Sequence, residues 1–430
     1  MEAAADPTLP AVARFSGAHS SRYAHVHATD LHGFSRLAID GVLGTTSLVE
    51  QMHYAISRVS GPTLPSANGR TRGITGLVYR SIHGVTGLVG GSLNLAFGQL
   101  VPRLPQAQST PQRDRMLAIL NGVLGDHLET TGNPLALHMA LRYAGRPLST
   151  DPAGLAAQLP EPRRKIAIFL HGLCMNDHHW APVDAEDTPV DLPRRVEEAT
   201  GYLPLHLNYN SGRPIARNGE QLAHLLEELT RNWPTPIDEL ALIGHSMGGL
   251  VARSAGHYAQ RYGHAWSERS SRLIALGSPH HGAPLERIGH KVDQALALTP
   301  FSAPFTRLGA VRSAGITDLR HGRVVDPDQA LLQPPRMRLY AVAATLADHA
   351  ETWKSRTVGD GLVTVDSALG RHLDPDQQPL PHRQRVVTRS GHLQLLRHPD
   401  VADQVLDWLS DDWSGCFAAG GRALPNQEGC

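Results

Sequence analysis

The chain has 430 residues, enough for one large domain of roughly 200–250 residues and a second region. Its 40 basic and 40 acidic residues balance, so no overall positive charge favours nucleic acid as a partner. Three cysteines without paired spacing (Cys174, Cys416 and Cys430) argue against a disulfide framework and a cysteine zinc site. Residues 1–10 lack a basic stretch followed by an apolar one, so we expect no signal peptide and a cytoplasmic protein.

The sequence pattern of residues 1–160 predicts a Gly-rich helical region, and we expect no strand ladder within the first 150 residues. Three similar pentapeptides, DGVLG at 40–44, HGVTG at 83–87 and NGVLG at 121–125, suggest a degenerate helical repeat. Between Gln51 and Arg113 there is no acidic residue, and several apolar side chains there share one helical face. Such a segment suits peripheral contact with a membrane or lipid surface, although a helical hairpin docked on the rest of the protein has the same pattern.

From about residue 161 onward, strand-like and helix-like segments alternate, which predicts a mostly parallel sheet with helices on both faces. An apolar stretch at about 284–336 interrupts the alternation and suggests an inserted lid. We therefore expect an α/β domain over residues 161–410, followed by a C-terminal tail at 411–430. The predicted strands are 165–172, 203–210, 239–245, 272–279, 337–344 and 383–392, and the predicted helices are 215–233, the segment after Ser246, and 398–413.

The segment GHSMG at 244–248 has the G-x-S-x-G pattern of a nucleophile elbow. A strand-like run precedes it and a helical pattern follows it, which is the context that the motif requires. Glycines two residues before and two after Ser246 allow a sharp turn that raises the hydroxyl above the sheet. Ser246 is therefore the candidate nucleophile.

A serine nucleophile needs a base and an acid that orients the base. Asp360 lies between two glycines after a predicted strand, whereas Asp366 has the position of a helix N-terminal residue. His392 follows a strand and a glycine, whereas His398 precedes a proline at the start of a helix. We therefore favour Asp360 and His392, with Asp366 and His398 as the alternatives.

The oxyanion of an acyl-transfer intermediate needs hydrogen-bond donors. The backbone N–H groups of Leu173, in the loop after the first strong strand, and of Met247, next to Ser246, are the candidates. His178 and His179 lie nearby, but adjacent histidines do not easily bind one metal ion together. We expect neither a metal nor a cofactor.

The series FLHGL, GHSMGG, LGSPHHGAPL, GDGLV and SGHLQLL, in this order, resembles the α/β-hydrolase superfamily. More narrowly, it is similar to bacterial lipases and esterases and to GPI-inositol-deacylase-like lipases, over roughly residues 160–410. The resemblance implies an α/β-hydrolase fold, a triad of Ser246, Asp360 and His392, and an oxyanion hole formed by Leu173 and Met247. It also implies that His280 and Gly282 have structural roles, and Ser278 stands where these lipases usually have threonine.

The leading hypothesis is a serine carboxylic-ester hydrolase that acts on lipid-like or other apolar acyl esters through an acyl-serine intermediate. A thioesterase, an acyltransferase or an intracellular polyester depolymerase with the same triad is the second hypothesis. The third is a lipid- or granule-surface binding protein in which the N-terminal region has the main role.

Overall fold

The structure is a computed structural model that describes residues 27–59, 71, 73–104, 109–159, 161–181, 190–284, 313–332, 334, 336–350, 358–372 and 381–411. Most of the lid predicted at 284–336, and all but the first residue of the tail predicted at 411–430, lie outside the described residues. Helix α8, Ala314–His321, belongs to the part of the lid segment that is described.

An eight-stranded sheet forms the centre of the protein, with the strand order β2-β1-β4-β3-β5-β6-β7-β8. Strands β3 to β8 run parallel, and β1 and β2 are antiparallel to their neighbours. The predicted mostly parallel sheet is therefore confirmed. Its strands are β1 (Ala140–Tyr143), β2 (Arg146–Pro147), β3 (Lys165–Leu170), β4 (Leu203–Asn208), β5 (Glu239–His245), β6 (Ser270–Leu276), β7 (Arg338–Ala344) and β8 (Arg383–Val387).

Helices cover both faces of this sheet, which explains why the central strands are apolar on both sides. In β3, Ile166 and Ile168 belong to the core cluster that includes α6 and α7. The alternate residues Ala167 and Phe169 belong to the cluster that includes α5 and α10. The helices are α1 (Ala28–Val59), α2 (Gly73–Leu100), α3 (Pro111–Thr130), α4 (Pro152–Gln158), α5 (Leu192–Thr200), α6 (Ile215–Asn232), α7 (Met247–Tyr262), α8, α9 (Val365–Ala368) and α10 (Pro399–Ser410).

Strand β8 ends earlier than the sequence predicts. It stops at Val387, whereas the apolar pattern indicated a strand as far as His392. Arg389 has a φ of 54°, which is incompatible with extended backbone. The chain therefore turns before His392, which lies in a loop between β8 and α10.

The expectation that no strand precedes residue 150 is wrong. Strands β1 and β2 form a hairpin, and β1 pairs with β4, with Leu141 opposite Leu207. The hairpin turns at Ala144 and Gly145, both with positive φ, and Gly145 adopts that conformation without steric cost. The sheet therefore extends to the N-terminal side of residue 161.

The helical nature of the N-terminal region is confirmed, and α3 is its central helix. Leu37 of α1 packs with Leu120 and Leu124 of α3 in a separate apolar cluster. Arg113 of α3 forms a buried ion pair with Asp30 of α1, at 2.6 Å. Helix α1 is thus fixed on α3, and each of the three similar pentapeptides lies within a different helix.

Candidate active site

Ser246 occupies the sharp turn between β5 and α7. Its backbone has φ 54° and ψ −122°, a conformation that costs a non-glycine residue about 1–3 kcal/mol and is concentrated at functional sites. The flanking glycines allow the close approach: a Cβ on Gly244 would lie 2.4 Å from the Gly249 nitrogen, and a Cβ on Gly248 would lie 2.4 Å from the Leu170 oxygen. The elbow geometry predicted for Ser246 is therefore present, and the serine is buried.

Asp360 and His392 lie together although they are 32 residues apart. The Nδ1 atom of His392 is 2.7 Å from Oδ2 of Asp360, and the His392 backbone N–H donates to the Asp360 carbonyl oxygen at 3.1 Å. The other carboxylate oxygen, Oδ1, accepts from the backbone N–H groups of Leu362 (2.9 Å) and Val363 (2.7 Å). The carboxylate is thus held on one side by the loop and faces the imidazole on the other.

The electrostatics keep Asp360 ionised. Burial raises the pKa of Asp360, but the adjacent His392 and the hydrogen bonds that the carboxylate accepts outweigh this effect, and the pKa lies below its ordinary value of 3.8. An ionised carboxylate fixes the proton of the neutral imidazole on Nδ1. The other nitrogen, Nε2, then has a free lone pair; it is buried and has no hydrogen-bond partner among the described residues.

His245, which precedes Ser246, joins the elbow to His392. Its Nε2–H donates to the His392 carbonyl oxygen at 3.0 Å, and the two rings lie 4.7 Å apart between centroids. Burial, with the nearby His392, lowers the pKa of His245 to about 3, so this histidine stays neutral. At the same place, Gly277 leaves room for the pair, because a Cβ there would lie 3.3 Å from Asp360 Oδ2.

The loop after β3 lies against Ser246. A Cβ on Gly172 would be 3.1 Å from Cβ of Ser246, and His171 is stacked on Tyr209 with a centroid distance of 4.3 Å. Within the described part of the chain, the backbone N–H groups of Leu173 and Met247 have no hydrogen-bond acceptor. The described fold therefore uses neither N–H group, and the oxyanion hole formed by Leu173 and Met247 stays a prediction.

The alternative residues have other partners. Asp366 lies in the first turn of α9 and forms an ion pair with Arg371 at 3.7 Å. The side chain of His398 accepts from the Asp400 backbone N–H and caps α10. The two alternatives are therefore at helix starts, as their sequence positions indicated.

The remaining histidines singled out in the sequence have local partners. His178 lies 3.3 Å from Asp114, and His179 contacts Asn176 at 2.9 Å. Among the described residues no group of three or more His, Cys, Asp or Glu side chains has the arrangement of a metal site. His280 contacts Arg253 at 3.0 Å, and Ser278 is fully buried. Gly282, with φ 82°, packs against the Arg320 carbonyl, since a Cβ there would lie 2.0 Å from that oxygen.

Sequence reasoning missed that α3 supports the loop that carries Leu173. A Cβ on Gly122 would lie 2.3 Å from Sγ of Cys174, and the Cys174 N–H donates to Oγ of Ser211 at 3.1 Å. Cys174 has a φ of 59°. The N-terminal region therefore helps to form the surroundings of the candidate active site. The glycines of NGVLG were the available signal, but two other segments share it.

Comparison with known proteins gives one family match. Residues 166–356 match the model of the PGAP1-like alpha/beta domain. No curated protein matches the chain.

Solved structures with a similar arrangement include lipases and esterases. The mature Bacillus licheniformis lipase BlEst2 is 17% identical, with 63% of this chain and 98% of that chain covered and a TM-score of 0.40. The Aspergillus fumigatus lipase B is 14% identical, with 64% and 56% covered and a TM-score of 0.35. The Pyrobaculum calidifontis esterase is 10% identical, with 72% and 96% covered and a TM-score of 0.38. The family match, the mostly parallel sheet and the serine elbow relate this chain to the α/β-hydrolase superfamily.

Proposed function

We propose that this protein is a serine carboxylic-ester hydrolase with Ser246 as nucleophile, His392 as general base and Asp360 as the residue that orients the base. The observation that carries the proposal is the 2.7 Å contact between His392 Nδ1 and Asp360 Oδ2, next to a serine held at a strained elbow. A carboxylate–imidazole pair beside an elbow serine is the arrangement that activates a weakly nucleophilic hydroxyl.

In this mechanism, His392 Nε2 takes the proton from the Ser246 hydroxyl while Oγ attacks the ester carbonyl carbon. The negative charge on the carbonyl oxygen is stabilised by the N–H groups of Leu173 and Met247. The intermediate collapses, His392 gives the proton to the leaving alkoxide, and an acyl-Ser246 ester remains. Water, deprotonated by His392, then attacks the acyl carbon. The acid is released and the Ser246 hydroxyl is restored.

The substrate class we propose is a lipid-like or other apolar acyl ester. This proposal rests on the apolar lid segment predicted at 284–336 and on the acid-free, basic and apolar segment at 51–113. A thioesterase, an acyltransferase or an intracellular polyester depolymerase would use the same triad. Rates on matched oxygen esters and thioesters, with and without an added alcohol acceptor, and on polyester granules distinguish these activities.

A fluorophosphonate probe tests the activation of the serine before a substrate is known. We expect the wild-type protein to be labelled and Ser246→Ala to lose both labelling and p-nitrophenyl ester hydrolysis, with an unchanged thermal melt. Ser254→Ala is the matched control, because Ser254 is another buried hydroxyl on α7 without a hydrogen-bond partner in the described region. Near wild-type labelling or hydrolysis in Ser246→Ala would refute the proposal.

The competing function is a lipid- or granule-surface binding protein led by the N-terminal region. That hypothesis expects Ser246→Ala to complement a deletion of the gene fully. The serine-hydrolase proposal expects complementation to fail although the variant protein is folded and present at the wild-type level.

A further inference from the structure

The outer face of α2 is apolar and uncovered in the described structure. Helix α2 contacts α1 through one side only, where Tyr79 meets His53 and where a Cβ on Gly90 would lie 2.8 Å from Ile39. The opposite side presents large apolar side chains to solvent, with Ile74 85% and Leu88 73% exposed. The exposed apolar residues of α2 are Ile74, Leu77, Val78, Ile82, Val85, Leu88, Val89, Leu93, Leu95 and Leu100.

An exposed apolar face of this size is typical of a surface that binds a partner. Soluble monomers rarely expose a contiguous apolar patch of more than a few hundred Å², and larger patches are typical of contacts with a protein or a membrane. In the described part of the chain, the segment Gly73–Arg103 is long and apolar enough to cross a membrane by length and composition, and the 18-residue apolar stretch that meets this criterion contains no buried residue. The apolar face continues along the helix and is interrupted only by uncharged polar residues such as Ser81, Ser92 and Gln99.

The charges around this face identify the partner. No Asp or Glu occurs between Gln51 and Arg113, and no charged residue occurs between Arg80 and Arg103. Arg80 and Arg103 are exposed and form no ion pair with any described residue. Unpaired arginines that flank an uncharged apolar face complement an anionic lipid surface, whereas an acidic protein partner would leave the apolar face without a matching contact.

The packing of α2 against α1 favours a helix that lies along the membrane surface over one that spans the membrane. One side of the helix is occupied by α1, and Asn94 on α2 contacts His32 of α1 at 2.8 Å. A spanning helix of this kind would bring the polar residues of α1 into the hydrocarbon layer with it. With the helix in the plane of the interface, the outer face alone enters the acyl region and the arginines remain at the headgroups.

We propose that the outer face of α2 is a lipid-binding surface that lies in the plane of an anionic membrane. This inference stands independently of ester hydrolysis, because it uses none of the residues around Ser246. It predicts peripheral, salt-sensitive binding.

The test measures co-sedimentation of the full-length protein with phosphatidylcholine vesicles that contain phosphatidylglycerol, and with pure phosphatidylcholine vesicles. Leu77→Asp/Leu88→Asp places two charges on the outer face, where both side chains are exposed and folding does not depend on them. The matched control is Ala156→Asp/Ala157→Asp, which adds the same charges to an exposed part of α4. Circular dichroism and thermal melts verify that all variants are folded.

We expect the wild type and the α4 control to sediment with the anionic vesicles and the α2 variant to bind at least about tenfold more weakly. Arg80→Gln and Arg103→Gln should each weaken binding to anionic vesicles by about fivefold. Equal wild-type binding to neutral and anionic vesicles would overturn the proposal. It would also be overturned if the wild type stays in the supernatant and forms a dimer that Leu77→Asp/Leu88→Asp converts to a monomer, since the face would then bind a second copy.

Discussion

A methyl group added at Gly122, on helix α3, should disturb the loop after β3 that carries Leu173, the candidate oxyanion loop. A Cβ at this position would lie 2.3 Å from Sγ of Cys174, 2.9 Å from its backbone nitrogen and 3.0 Å from its Cα. Two of these three atoms belong to the backbone, so a change of side-chain rotamer cannot remove the clash. The loop that carries the Leu173 N–H must move instead. Such overpacking costs about 1–3 kcal/mol, and a displacement of about 1 Å at a reacting group costs on the order of 100-fold in rate.

We therefore expect Gly122→Ala to lower kcat for a soluble p-nitrophenyl ester by roughly tenfold to 100-fold, with a smaller change in KM. The controls are Gly41→Ala and Gly84→Ala, in the two similar pentapeptides, where an added Cβ meets nothing within 4 Å. These should keep wild-type activity and gain about 0.5–1 kcal/mol of helix stability. A wild-type kcat in Gly122→Ala, or a loss that follows only the unfolded fraction in a thermal melt, would refute this reasoning.

Three further predictions concern the histidine pair and its acid. Asp360→Asn should lower kcat by on the order of 1,000- to 10,000-fold, because the amide no longer fixes the imidazole proton on Nδ1; steady-state kinetics measure this. His245→Leu leaves the buried His392 carbonyl without a donor and should lower kcat by about tenfold, whereas His245→Gln keeps a donor and most of the activity. In the folded protein, burial is the main cause that lowers the pKa of His171 and of His245 to about 3. In the unfolded chain, each histidine has a pKa of about 6.5. Between about pH 3 and pH 6.5 the unfolded chain therefore binds more protons than the folded protein. The free energy of unfolding, measured by urea titration, should fall as the pH drops from about 6.5 towards 3. This fall should be less steep in His245→Gln.

The candidate site could be predicted from sequence because its members follow strands. Parallel strands end at one edge of the sheet, so the loops after β3, β5, β7 and β8 meet there, and the sequence places Ser246, Asp360 and His392 in such loops. The role of His245 could not be predicted in this way. Its hydrogen bond reaches a carbonyl 147 residues further along the chain, and no local pattern specifies such a contact.

The structure of the N-terminal region is also difficult to predict from sequence, because its contacts reach residues far along the chain. Strand β1 has four residues and β2 has two, too short for an alternating pattern, and their pairing depends on β4 far along the chain. The three glycine pentapeptides look alike in sequence, yet among their glycines only those of NGVLG pack closely against another described part of the fold, at Cys174 and Asn210. Tertiary contact distinguishes them, and local propensity does not.

The position of the hairpin and α3 decides whether the N-terminal region can be separated from the hydrolase domain. A fragment of residues 151–430 would lose the pairing of Leu141 with Leu207 and leave the apolar strand β4 as an open sheet edge, which is a template for aggregation. It would also lose the Gly125 carbonyl, which accepts from Asn210 Nδ2 at 2.9 Å beside the candidate oxyanion loop. We expect this fragment to aggregate, or to lack esterase activity, in size-exclusion chromatography and kinetic assays beside the full-length protein. A monomeric fragment with wild-type kcat/KM would show that the region is a separable module. We expect the region to be inseparable because β1 pairs with β4, and without β1 the backbone groups at the edge of β4 would lose their hydrogen-bond partners.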